Sequence, residues 1–153
     1  MIELSLPLPP SLNGYYENAM RRVRRGALAG KVYTGRQISA AGLEFRLEVV
    51  RAVRAGHRAA PRLSGRLAIV VLAQPPDLRA FDLDNRFKCL LDALTVARVI
   101  LDDALFDDVR MVRWNPVEGG RVHVRIDRFD PREAEAVARS FGAGAEGLLE
   151  TAA

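Results

Sequence analysis

Ile2, Leu4, Leu6 and Leu8 alternate with other residues at the start of the chain, which is the spacing of a half-buried strand. Pro7, Pro9 and Pro10 close that strand, because proline cannot feed a sheet ladder. Residues 11–16 then read as a polar, aromatic-tipped loop. Residues 21–31 carry Arg21, Arg22, Arg24 and Arg25, two glycines and Lys31 with little periodicity, so they are expected to form a long mobile loop. Ser39 can cap a helix running to about Ala55. Its apolar stripe is expected at Leu43, Leu47 and Val50, with Phe45 and Val49 beside it, and Gly56 marks its end. Residues 61–65 form a linker, and the run Leu-Ala-Ile-Val-Val-Leu-Ala within 66–74 reads as a buried strand ended by Pro75-Pro76.

A second helix is expected from about Asp84, acting as its cap, to about Ala97. Phe87, Leu90, Leu91 and Leu94 share one of its faces. Val99, Ile100 and Leu101 make a short apolar run. Residues 109–117 and 122–129 look like two strands, and Glu118-Gly119-Gly120 between them is a hairpin signal. Asp130 as cap and Pro131 in the first turn begin a terminal helix to Phe141, and the small residues from Gly142 onward are expected to fray. The order strand-helix-strand-helix-strand-strand, closed by a C-terminal helix, predicts a single α/β domain around a mixed sheet.

Composition narrows the class. The chain has 153 residues, 49% hydrophobic and 27% charged, enough for one packed globular domain. Its net charge of +4 is carried mostly by arginine, whose planar fork of donors suits phosphate oxygens. The single cysteine, Cys89, excludes an internal disulfide and a cysteine-built zinc site, and its apolar neighbours point to a small buried hydrophobe. The longest apolar run, at 67–73, is far too short to span a membrane. The first ten residues carry prolines and no basic stretch, so no signal peptide is expected, and the expected location is the cytoplasm.

The sharpest chemistry lies in Phe81-Asp82-Leu83-Asp84-Asn85-Arg86-Phe87-Lys88. In an extended stretch Asp82 and Asp84 point the same way. If the helix begins at Asp84, Lys88 lies one turn along its face. Convergent carboxylates repel unless a cation joins them, and an all-oxygen set suits Mg²⁺ or Mn²⁺ rather than zinc. Neither His57 nor His123 has a ligand-spaced partner. Asp103, in Leu101-Asp102-Asp103, is the candidate third carboxylate, anchored by the apolar run before it. The plainer alternatives stay open: Asp84 as a cap, Asp92 paired with Lys88, Asp82 solvated, and Asp107 and Asp108 as turn residues. The basic residues 21–31 offer a clamp for phosphates that would position DNA without reading its sequence. Tyr15 and Tyr16 can stack on bases or pack against the first strand. Two phosphate-loop-like patterns, at 26–32 and 142–147, fail on spacing or context.

These residues carry a resemblance. Leu6-Pro7-Leu8-Pro9-Pro10-Ser11-x-Asn13, Ser39-Ala40-x-Gly42, Asp82-Leu83-Asp84-Asn85-x-x-Lys88-x-x-x-Asp92-Ala93-Leu94 and Leu101-Asp102-Asp103 together resemble the RusA family of Holliday junction resolvases, over most of the chain. The resemblance implies a homodimeric, Mg²⁺- or Mn²⁺-dependent endodeoxyribonuclease acting on four-way DNA. By motif position it implies metal-binding catalytic aspartates at Asp82, Asp84 and Asp103 and a catalytic lysine at Lys88. Asn85 and Asp102 would support the site or touch phosphate, and Asn13, Tyr15, Arg21, Arg22, Arg24, Arg25, Lys31 and Arg79 would contact DNA. The nuclease domain is then residues 1–130, with 131–153 a helical extension beyond the family core. Arg79 stands alone before the acidic motif, where some members carry several arginines, and residues 21–31 are placed to compensate. Two other classes compete. One is a DNA-binding protein of this fold without activity, which the complete set of Asp82, Asp84, Lys88 and Asp103 disfavours. The other is a Mg²⁺-dependent nucleotide transferase, which lacks a nucleotide-phosphate loop here.

Overall fold

The computed structural model describes residues 1–57 and 62–142. Part of the 61–65 linker, the expected frayed end and most of the 142–147 glycine pattern lie outside them. The elements run β1 (Ile2–Pro7), α1 (Leu12–Tyr15), β2 (Tyr16–Arg22), β3 (Val32–Ile38), α2 (Ala40–His57), β4 (Leu67–Gln74), α3 (Asp84–Val96), a 3₁₀ turn (Asp103–Leu105), β5 (Phe106–Arg113), β6 (Arg121–Arg128) and α4 (Pro131–Ser140). A mixed four-stranded sheet in the order β1-β6-β4-β5 forms the centre, with β5 parallel to β4 and the other pairs antiparallel. The expected mixed α/β domain is what forms.

The expected hairpin of the last two strands does not form. The Gly119-Gly120 turn exists, with φ of 75° and 70°, but the strands it joins lie on opposite sides of β4. The connection crosses the end of β4, where Trp114 N–H donates to Ala73 O and Val117 N–H to Pro75 O. The reason is burial. β4 is apolar along its length and needs neighbours on both edges. β5, Phe-Asp-Asp-Val-Arg-Met-Val-Arg, is polar enough for a sheet edge. β5 also starts earlier than expected, so Asp107 and Asp108 are strand residues rather than turn residues. Arg66 Nε donates to Asp107 at 2.7 Å, and Arg110 pairs with Asp108 at 2.6 Å.

One face of the sheet is covered. Ile2, Leu4 and Leu6, then Val122, Val124 and Ile126, then Leu67, Ile69, Val71 and Ala73 pack with Phe45 and Val49 of α2 and Leu90, Ala93 and Leu94 of α3. The stripe of α2 is Phe45 and Val49. Leu43 and Leu47 are 52% and 55% exposed, a correction to the expected Leu43–Leu47–Val50 face: helix periodicity allowed either set, and the sheet took the aromatic one. Cys89 is fully buried, and burial pushes its thiol up to about 11, as befits a small hydrophobe. No helix among the described residues is long and apolar enough to cross a membrane.

The segment expected to be a polar loop followed by a mobile basic loop is structured. Ser11 caps the single turn of α1, accepting from Gly14 N–H at 3.3 Å. β2 and β3 then pair antiparallel from Tyr16↔Ile38 to Arg22↔Val32, and a turn between Gly26 and Gly30, both with φ near +90°, closes the ribbon. The signal was absent because both faces of the ribbon meet solvent, so no apolar alternation marks it. A two-stranded ribbon is marginal alone in water, and this one is anchored at its root. Ser39 N–H donates to Tyr15 O at 3.0 Å, and Ser39 Oγ donates to Gly14 O at 2.5 Å while accepting from Gly42 N–H at 3.0 Å.

Candidate active site

The acidic motif sits where the loop after β4 enters α3. The helix begins at Asp84 with Leu83 at the cap position and no side-chain cap bond, so Asp84 is a first-turn residue rather than the cap. Its carboxylate favours the positive end of the helix from there. The loop is held by Phe81, whose ring is approached by two guanidiniums, Arg86 at 4.7 Å and Arg113 at 4.6 Å from its centre. Arg113, at the end of β5, also donates to Phe81 O at 2.5 Å, and Arg86 donates to Pro9 O. Asp82 follows this clamp directly and accepts from Asn85 Nδ2 at 3.1 Å. Asn85 therefore supports Asp82. The Phe81–Arg113 contact escaped sequence reasoning, since nothing in the chain relates positions so far apart.

Asp84, Lys88 and Asp92 follow one another at four-residue steps and share a face of α3. Asp103 is brought to that face by the end of the helix. Arg98 adopts φ of 63°; its N–H donates to Thr95 O, and Val99 N–H reaches back to Leu94 O. This reversal usually takes glycine. It turns the chain so that Val99 and Ile100 enter the core and Ile100 bridges Leu63. Leu101 stays half exposed. Asp102 caps the 3₁₀ turn, accepting from Ala104 N–H at 2.8 Å, and Asp103 opens it.

Lys88 Nζ is the centre of what the fold gathers. It lies 2.6 Å from Asp103 Oδ2 and 3.1 Å from Asp92 Oδ1. The hydrogen bond to Asp103, then that to Asp92, raises the lysine well above its ordinary pKa, and the same Lys88 bond lowers Asp103. The lysine side chain is 53% exposed, so the pair adds only about 0–1 kcal/mol to stability; its value is placement. The pairing of Asp92 with Lys88, one of the plainer alternatives, is thus present together with the Asp103 contact. Among the described residues no three acidic, histidine or cysteine side chains stand close enough to hold a metal ion. The donors do fit a hard cation in kind: Asp82 and Asp84 are exposed carboxylates, and Asp103 already faces a positive charge.

The other expected DNA contacts divide. Arg21, Arg22, Arg24, Arg25 and Lys31 are all exposed on the ribbon and its tip, and Asn13 is exposed on α1. Arg79 is exposed but folded back on Asp77 at 2.7 Å. Tyr15 is fully buried, with Arg46 Nε donating to its hydroxyl at 2.5 Å. It is a core residue and has no surface to offer a base, which corrects its place among the DNA contacts.

Residues 12–127 match the family described as Endodeoxyribonuclease RusA. The chain belongs to the RusA endodeoxyribonuclease family. The match takes in the ribbon, the acidic motif, Asp103 and the sheet strands β4, β5 and nearly all of β6, and begins after β1. A crossover junction endodeoxyribonuclease of Enterobacteria phage HK97 is 38% identical over 125 residues, 82% of this chain and 92% of that protein. Proteins of the same name from Enterobacteria phage 82 and Escherichia coli are 35% and 33% identical over 123 residues, 80% of this chain and 91% of each relative. The non-catalytic and transferase alternatives find no support in this membership.

Proposed function

We propose that this protein resolves Holliday junctions by paired, Mg²⁺-dependent cleavage of DNA strands in recombination and repair. The observation that carries the reading is the contact of Lys88 with Asp103, from sequence stretches fifteen residues apart, inside a chain whose relatives are named for crossover junctions. Asp82, Asp84 and Asp103 supply the carboxylates that would hold Mg²⁺ once drawn together around it, with Mn²⁺ an alternative of the same oxygen preference. Held there, such an ion would supply an activated water and offset charge on the phosphate.

The chain's own groups do the rest. Lys88 neutralises charge on the attacked phosphate from the face of α3. Asn85 fixes the orientation of Asp82, and Asp102 shapes the turn that presents Asp103. The ribbon, with Arg21, Arg22, Arg24, Arg25 and Lys31, grips flanking phosphates, and Asn13 lies beside its root. A junction with two equivalent strands is matched by two equivalent sites, which supports a homodimer. Residues 131–153 stand outside the nuclease unit of 1–130, and cellular DNA as substrate sets the work in the cytoplasm.

Cleavage of a synthetic four-way junction tests this. Paired nicks should form with Mg²⁺ and vanish with EDTA. Asp82→Asn and Asp103→Asn should bind the junction in metal-free buffer yet leave it intact. An uncut junction in both Mg²⁺ and Mn²⁺ would overturn the activity, and normal cutting by either variant would overturn the site.

A further inference from the structure

Lys88 has a second anchor that metal binding does not explain. Asp92 stands one turn along α3 and holds the ammonium through Oδ1 at 3.1 Å. Its other oxygen, Oδ2, accepts from Tyr16 Oη at 2.8 Å. Asp92 is also more enclosed than the carboxylate opposite: its side chain is 17% exposed, against 33% for Asp103. With both oxygens bonded, to a cation and to a hydroxyl, the carboxylate cannot turn without giving up a partner, and bonds to a charged group are the stronger kind.

Tyr16 is the first residue of β2, at the root of the ribbon. Its ring meets buried Tyr15 edge-on, with centroids 5.0 Å apart, and the Arg36 guanidinium from β3 lies 4.8 Å from its centre. The chain of contacts therefore runs from the basic ribbon, through Tyr16 and Asp92, to Lys88 and Asp103.

We infer that Asp92 is a positioning residue that keeps Lys88 in the active site, and that Tyr16 fixes Asp92 to the root of the ribbon, so that the element gripping DNA and the lysine share one hydrogen-bonded frame. The inference rests on Lys88 and Asp103 being catalytic machinery. Lysine is a point charge on a flexible four-carbon stem. A divalent cation held by Asp103 would compete for the nearer anchor of Lys88 and repel its ammonium. Asp92, the second anchor, would retain it.

The test measures single-turnover cleavage of a four-way junction with Mg²⁺ at saturating protein, junction affinity without metal, and thermal stability. It uses Asp92→Asn, Tyr16→Phe and their double variant, with Asp103→Asn as reference. Asp92→Asn keeps the shape and an acceptor for Tyr16 but removes the charge facing Lys88. Its cleavage rate should fall about 10–100-fold, the range for groups that orient a site from behind, with metal-free affinity and Tm unchanged. Tyr16→Phe should fall by a smaller factor. The double variant should match Asp92→Asn alone, because Tyr16 acts only through Asp92.

A wild-type rate for Asp92→Asn beside an inert Asp103→Asn would overturn the inference alone. So would a defect confined to metal-free affinity, or full multiplication of the two single effects. Should Asp92→Asn fail to fold, Tyr16→Phe decides: an undiminished rate overturns the coupling. Normal cutting by Asp103→Asn would instead bring down the reading of the site on which the inference rests.

Discussion

The lysine-bearing face of α3 and the ribbon β2–β3 are built in opposite ways. The first rests on a helix whose other side is among the most buried surfaces of the molecule, with Cys89, Leu90, Ala93 and Leu94 fully inside. The second exposes most of its residues, Met20, Val32 and Tyr33 among them. Three of the acidic side chains on or beside α3 are engaged: Asp82 with Asn85, and Asp92 and Asp103 with Lys88. On the proposed function, the difference is a division of labour. Chemistry on a phosphate needs groups fixed to a fraction of an ångström, which a packed helix provides. Holding a long polyanion needs reach and charge, and for that a solvated ribbon anchored at its root is sufficient.

The largest effect expected separates the two regions directly. Asp84→Asn should lower the cleavage rate by about 10³-fold or more, since metal-borne charge stabilisation is worth several kcal/mol at about 1.4 kcal/mol per tenfold, and leave metal-free junction binding intact. Replacing Arg21, Arg22, Arg24 and Arg25 together by alanine should do the reverse. Binding should weaken, and the slope of log K against log salt should fall by roughly one for each phosphate that the ribbon no longer neutralises, while the rate at saturating protein stays near wild type. A binding titration over several salt concentrations beside a single-turnover assay reads both. If the arginine variant were slower but bound as tightly as wild type, the division would be wrong.

A smaller effect probes the joint between the regions. A Cβ at Gly42 would lie 2.5 Å from Tyr15 O and 2.8 Å from Ile38 Cγ2, so α2 approaches the root of the ribbon more closely than any side chain permits. Gly42→Ala should destabilise the protein by about 1–3 kcal/mol, the usual range for overpacking, and lower Tm by roughly 2–4 °C per kcal/mol. An unchanged melting curve would mean the joint yields. The smallest effect concerns the turn that delivers Asp103. Arg98→Gly removes a left-handed residue that costs an arginine roughly 1–2 kcal/mol, offset in part by the greater chain entropy of glycine. It should therefore stabilise by up to about 1 kcal/mol in a denaturant titration. A decrease in stability would show that the Arg98 side chain contributes more than its backbone costs.

Much of this was legible in advance, and unevenly. The alternation at Ile2, Leu4 and Leu6, the apolar run of β4 and the stripe Leu90-Leu91-Leu94 were readable because each buries a face, and burial writes a period into a sequence. The acidic motif was readable because its residues are neighbours. Asp92 was within reach too, one helical turn from Lys88, but only as a pairing; its bond to Tyr16 joins residues 76 positions apart, and no local pattern encodes that.

The sequence by itself determined which stretches become strands and helices of the core, that the charged chemistry would be carboxylate and lysine, and that the positive charge would be arginine on an exposed segment. Only the tertiary structure decided that β4 separates β5 from β6, that the arginines stand on a paired ribbon, that Tyr15 is interior, and that Lys88 lies between Asp92 and Asp103. Local sequence fixes hydrophobic periodicity and backbone preference. Neighbours across a sheet and partners of a charge are set by which distant surfaces must be buried together, and that competition exists only once the chain has folded.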